Sequence, residues 1–399
     1  MRPSARFLFF VGLFFLSGAV ALVYEVLWLR RIGLLFGSTA FATAATLGAF
    51  MAGLGIGGYL GGGFAVKVRN PLRAYAFLEI GIALGALLAD PLLGVASPLL
   101  GWLYGAGAGK PALDAARLVL SLLVLLVPTT FMGATLPFLA QSAVRSTRSV
   151  AGPLGLLYGA NTLGAALGSV AAAFLLLERF GTRGSFAAAL VLNVAVAAAA
   201  LLASRRERAV LDTRPEPSPS ASHAKLPLVA FALSGGAALV CEVVWTRKLV
   251  FFIGNTSYAF ALMLALFLLG ISLGSFLAGR LGDRIESPLR SLAFTFGIAA
   301  AGLAAGALLL PALASALEPW MMNDPTWARM LVYMVALVGV VVLPPSMAFG
   351  AVFPLVARAE VAGGSSAGPA VGIAYAANIL GAVTGAYLGG FVLVPLLGL

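Results

Sequence analysis

The sequence predicts an all-α polytopic membrane protein with about 11 transmembrane helices. They form two parallel repeats of six helices, the second without its last. Three observations carry this expectation. The chain of 399 residues is 61% hydrophobic and only 10% charged, with 48 glycines; a soluble domain cannot hide that much apolar surface, and abundant glycine suits close helix packing in lipid. Apolar runs of roughly 20 residues, enough to cross a bilayer, recur along the whole chain. Finally, the sequence repeats itself at a displacement of 217 residues.

Residues 22–30, LVYEVLWLR, return at 239–247 as LVCEVVWTR. The same displacement pairs Ser17-Gly18 with Ser234-Gly235, Pro71-Leu72-Arg73 with Pro288-Leu289-Arg290, and Pro128 with Pro345. It also pairs Tyr158 with Tyr375 and Asn161 with Asn378. No net insertion separates the copies, so one fold unit was duplicated.

The elements follow in order. Arg2, Arg6, an apolar run and Ala19-Val20-Ala21 have the layout of a signal peptide. The matching segment 226–245 lies in mid-chain, however, so 7–28 is read as the first span. Further spans are expected at about 40–64, 74–96, 117–139, 154–177 and 184–203, completing a first unit over 1–203. The charged, Pro/Ser-rich segment RRERAVLDTRPEPSPSASHAK neither packs nor spans, which makes 204–225 a cytoplasmic linker. The second unit, 226–399, supplies spans at about 226–245, 257–279, 290–314, 329–357 and 370–397. The register places its sixth helix about two residues past Leu399.

Charge distribution sets the orientation. With a cytoplasmic N-terminus, the inner segments carry 16 of the 25 Lys and Arg and the outer segments 9, as the positive-inside rule requires. Both units then enter the membrane in the same direction, as do the halves of a major facilitator transporter, with a polar path between them. The net charge of +11 comes from basic residues at the ends of apolar runs, so it signals topology and not nucleic acid. Cys241 is the only cysteine and His223, in the linker, the only histidine. No metal site and no cofactor is expected.

Three acidic residues, Glu25, Glu79 and Glu242, fall well inside apolar spans. A charge at mid-membrane costs about 2.5–3.5 kcal/mol on insertion scales, so each is a candidate binding residue. Glu25 and Glu242 are repeat equivalents, expected to face each other at the outer mouth of the central path and to suit a cationic ligand or coupled protons. The rival reading has each carboxylate neutralising Arg30 or Arg247 at the interface, with Trp28 and Trp245 anchoring at headgroup level. Five residues on one helix separate Glu from Arg by about 140°, which favours pairing between helices. Glu79 has Phe296 as its counterpart and is the asymmetric candidate.

Asn161 and Asn378 precede small-residue stripes, Gly164/Gly168 and Gly381/Gly385. Their amides are expected to bridge helices or to bind ligand. Pro128 and Pro137, with Pro345 and Pro354, are expected to break the fourth helix of each unit. Gly53, Gly55, Gly57 and Gly58 follow no strand, so they pack helices and cradle no phosphate. No GxxxxGK[ST] or HExxH occurs, and no catalytic residue is assigned.

GRLGDR at 279–284 resembles the G-x-L-[AG]-D-R signature of major facilitator proteins, which implies gating roles for Asp283 and Arg284. In the first unit Val66 stands where that signature has its Asp. The blocks SGAVALVYEVLWLRRIGLLFGST, FMAGLGIGGYLGG, PTTFMGATLPFLA and LLYGANTLGAALGS resemble the membrane portion of bacterial fused major facilitator/spermidine synthase proteins. That resemblance implies a bacterial inner-membrane transporter module moving a small cation such as a polyamine. The alternative it implies is a non-transporting anchor for a soluble aminopropyltransferase-like domain, fused or in a separate chain. The glycine-rich loop and acidic residues of that catalytic domain are missing from the sequence. The expected partners are therefore the lipid bilayer, a cationic ligand and such a soluble domain, and no nucleic acid.

Overall fold

A computed structural model describes residues 4–36, 40–144, 149–205, 225–254, 256–285, 287–393 and 396. Nearly all of the linker expected at 204–225 lies outside the described residues. The first unit supplies α1 (Ala5–Phe36), α2 (Ala40–Ala65), α3 (Pro71–Gly105), α4 (Lys110–Ala143), α5 (Ala151–Ala171) and α6 (Leu177–Ser204). The second supplies α7 (Lys225–Ile253), α8 (Ser257–Gly282), α9 (Pro288–Met322), α10 (Trp327–Ala362) and α11 (Ala367–Tyr387). The repeat register is kept in the helix bounds: α2 and α8 have 26 residues each, α3 and α9 have 35.

Helix starts follow local chemistry. Asn70, with Pro71 behind it, caps α3 by accepting the Arg73 N–H at 2.9 Å. Thr256 and Thr326 cap α8 and α10 in the same way. The helices outrun the apolar spans expected of them; α3 and α9, at about 52 Å, project beyond an apolar layer of about 30 Å. Residues 151–204 are helical throughout, joined by a π-helical turn at Ala172–Leu176. A straight helix of that length would measure about 81 Å. The chain instead turns at Gly181, whose φ of 60° and ψ of −172° lie where only glycine rests easily. The expected spans 154–177 and 184–203 are thus two crossings, and the ten apolar helical stretches make eleven helices.

The prolines do not break the fourth helices. Both α4 and α10 run without interruption through Pro128, Pro137, Pro345 and Pro354. Beside them the hydroxyls of Thr129 and Ser346, repeat equivalents, donate to the carbonyls of Leu125 and Val342 at 2.6 and 2.7 Å.

The halves meet along two flanks, α5 against α8 and α2 against α11. At the end where α1, α5, α7 and α11 begin, one buried core is shared by both halves: Phe10, Phe14 and Leu157 with Phe231, Phe353 and Val371. Towards the other end each half has its own core, one around Tyr24, Trp28 and Phe50, the other around Trp245, Phe267 and Phe349. The halves are therefore sealed together at one end and separately packed at the other.

Within each half, the second and fourth helices touch backbone to backbone. A Cβ at Gly57 would lie 1.9 Å from the Thr130 carbonyl oxygen, and one at Gly274 would lie 1.8 Å from that of Met347. These positions are again repeat equivalents. Lipid provides little hydrophobic drive between helices, so such contact carries the packing. Gly274→Ala must separate α8 from α10 and is expected to cost about 1–3 kcal/mol or more, read as a lowered melting temperature in detergent. Gly63→Ala, with nothing within 4 Å of the added carbon, is expected to melt no lower than the wild type.

Candidate functional site

Between the halves lies a cavity of about 220 Å³. It is lined from α1, α2, α4 and α5 of one half and α7, α8, α10 and α11 of the other, with nothing from α3, α6 or α9. The lining is almost symmetric in the repeat register. Phe14, Ser17, Glu25, Phe50, Tyr158 and Asn161 are matched by Phe231, Ser234, Glu242, Phe267, Tyr375 and Asn378.

Glu25 and Glu242 both line this cavity, and each lies within electrostatic reach of the other. Neither carboxylate is hydrogen-bonded or ion-paired to a described residue. Arg30 and Arg247 are exposed and do not neutralise them. Other basic side chains among the described residues are paired: Arg31 with Asp90, Arg117 with Asp114 at 2.9 Å, Arg329 with Asp324 at 3.4 Å. Trp28 and Trp245 are buried, 3% and 7% exposed, so neither indole is turned outward from the protein. Trp28 stacks on Tyr24 with ring centroids 5.3 Å apart, and both tryptophans belong to the cores of their own halves. The indoles fix the helices that hold the carboxylates, since each follows its glutamate by three residues.

Asn161 and Asn378 bridge helices and border the cavity at the same time. Each Nδ2 donates at 2.9 Å, Asn161 to the Phe14 carbonyl and Asn378 to that of Phe231. Below them the Tyr158 and Phe353 rings stand 4.5 Å apart and Phe231 and Phe353 5.9 Å apart. These aromatics form the floor where the cavity meets the shared core. Glu79 is placed elsewhere, buried at 1% exposure between α1, α3 and α6 and absent from the lining.

The sealed end is closed by helix capping across the halves. Asp283 accepts the N–H groups of Val150, Ala151 and Gly152 at 2.9–3.1 Å, so a carboxylate from α8 sits on the N-terminus of α5. Arg358 of α10 donates to the carbonyls of Gly282 and Ile285 and holds the turn that carries Asp283. Arg284 is exposed and takes no part in the cap. In the first half Val66 cannot cap, yet the equivalent contact survives: Gln141 Oε1 accepts the Gly368 N–H at 2.7 Å at the start of α11. Gly368 is the repeat counterpart of Ala151, and Gln141 that of Arg358. Sequence reading missed both side chains, although the register of 217 paired them. Asp283→Ala is expected to cost about 0.5–2 kcal/mol as a lost cap. Thermal melting checks this, and Arg284→Ala should leave the melting temperature unchanged.

No protein-family model and no curated protein matches the sequence. Solved structures do. A crystal structure of a major facilitator superfamily transporter, FucP, in the outward conformation aligns with a TM-score of 0.62 at 18% identity, over 99% of this chain and 91% of that one. A second structure of the E. coli fucose:proton symporter FucP gives 0.57 at 17%, over 98% and 91%. The proton:xylose symporter XylE bound to 6-bromo-6-deoxy-D-glucose gives 0.51 at 15%, over 99% and 90%. The chain has the membrane fold of the major facilitator transporters, two helical halves around a central cavity.

Proposed function

We propose that the chain is a membrane transporter for small organic cations, with polyamines as the substrate class, and that Glu25 and Glu242 hold the ligand's ammonium groups. The observation that carries this reading is two carboxylates lining one cavity with no cation beside either among the described residues. Buried charges are ordinarily paired, and here a bound dication completes the pairing. Ring faces on the cavity wall, among them Phe50 and Phe267, suit the same ligand by cation–π attraction. The sequence blocks shared with spermidine synthase-fused proteins narrow the cation to a polyamine.

In this reading 1–203 and 226–399 move as two bodies joined by the linker at 204–225. With the N-terminus in the cytoplasm of a bacterium, the sealed end faces inward across the inner membrane and the cavity serves the outer side. A membrane anchor for a soluble aminopropyltransferase-like domain has no use for a symmetric cavity with paired carboxylates, which is why transport is preferred. An ammonium–carboxylate contact contributes about 1.5–3 kcal/mol. Calorimetry on purified protein should therefore show saturable binding of spermidine and putrescine, weakened roughly a hundred-fold or more in Glu25→Gln/Glu242→Gln. Equal binding by a folded double variant would remove both residues from the site, and no binding by the wild type would favour the anchor.

A further inference from the structure

Glu79 is the third carboxylate inside the apolar spans, and the cavity does not account for it. Ser17 Oγ of α1 donates to its Oε1 at 2.6 Å and Asn193 Nδ2 of α6 to its Oε2 at 2.7 Å. The Tyr75 hydroxyl, from the preceding turn of α3, lies beside it and donates to the Leu13 carbonyl at 3.4 Å, and Tyr24 of α1 is within electrostatic reach. From α4, which packs against α3, no charged or titratable group reaches it; Asp114 and Arg117 pair with each other. Among the described residues no Lys, Arg or His touches it.

Three features set this carboxylate apart from a fixed structural charge. Ser17, Tyr75 and Asn193 can each donate or accept, whereas a lysine or arginine partner only donates. The surroundings therefore accommodate both the ionised and the protonated carboxyl. Two polar atoms beside it, Tyr24 Oη and Asn193 Oδ1, are buried without a partner, in side chains that are 0% exposed. Rotation of the Asn193 amide presents Oδ1 to a protonated Oε2 and satisfies it. Ser17 also lines the central cavity, so this one residue stands between Glu79 and the cavity.

We propose that Glu79 is an exchangeable proton site, loaded from the cavity through Ser17 and separate from the carboxylates that hold the ligand. A hydronium ion in the cavity gives a proton to Ser17 Oγ and leaves as water, while the hydroxyl's own proton passes to Glu79 Oε1; turning the carboxyl then exchanges its two oxygens and brings the acid O–H to Asn193 Oδ1. The carboxylate becomes neutral and Ser17 is regenerated. The device belongs to the first half alone, because the repeat puts Phe296, Leu292 and Cys241 at the positions of Glu79, Tyr75 and Tyr24. That asymmetry gives one such site per molecule. The inference rests on the transport reading, but its test needs no substrate.

The experiment is infrared difference spectroscopy between acidic and alkaline buffer on protein reconstituted in lipid. The wild type is expected to show the carbonyl band of a protonated carboxylic acid, and Glu79→Gln, whose folding is checked by thermal melting, to lose it. Ser17→Ala is expected to keep the band but form it more slowly after a pH jump. Should Glu79→Gln fail to fold, Asn193→Ala serves, because losing a hydrogen-bond partner must shift the band. A band unchanged in folded Glu79→Gln, unmoved in Asn193→Ala, or absent from the wild type overturns the proposal. Loss of spermidine binding in Glu25→Gln/Glu242→Gln leaves this Glu79 difference in place, so the two readings fail separately.

Discussion

Everything functional in this structure depends on the two halves being packed together at one end and apart at the other. The shared core of Phe14, Phe231, Phe353 and their neighbours closes the bundle where α1 and α7 begin. Two crossed helix caps fix that closure, Asp283 on α5 and Gln141 on α11. Further along, each half turns to its own core, and the cavity is the space left between them. Glycine contacts such as Gly57 on Thr130 and Gly274 on Met347 pack the second and fourth helices of each half backbone to backbone.

The intramembrane carboxylates divide the work by surroundings. Each costs about 2.5–3.5 kcal/mol to place at mid-membrane on insertion scales, and the structure offsets that cost differently in the two cases. Glu25 and Glu242 line the cavity wall without a partner among the described residues, the arrangement on which the cation-binding proposal rests. Glu79 is surrounded by hydrogen-bonding groups on three helices and is satisfied without any ligand. One class is thus suited to capture charge from the path, the other to hold a proton beside it.

Much of this architecture was legible in the sequence because duplication prints it twice. The displacement of 217 residues gave the helix order, the facing glutamates and the matched asparagines, and the cavity lining follows the same register. What remained hidden depends on contacts between distant segments. The partners of Glu79 come from positions 62 and 114 residues away, and Asn193 sits in an apolar run with nothing local to mark it. Trp28 and Trp245 followed the composition rule for interfacial aromatics, but core packing took them inward. The prolines of α4 and α10 were read from backbone chemistry alone, yet both helices continue through them. Gln141 escaped notice because it replaces the missing Asp at position 66 from a different helix.

The central claim is that the halves pivot about the cavity when a cation enters it. Double electron–electron resonance tests it with spin labels at two repeat-equivalent pairs in a Cys241→Ser background. Leu34 and Phe251, 79% and 80% exposed, report the separately packed end; Phe64 and Leu281, 56% and 48% exposed, report the sealed end. Saturating spermidine is predicted to shorten the first distance and lengthen the second. Distributions that both stay fixed, in protein shown to bind spermidine, would contradict the account and leave the cavity a static binding site.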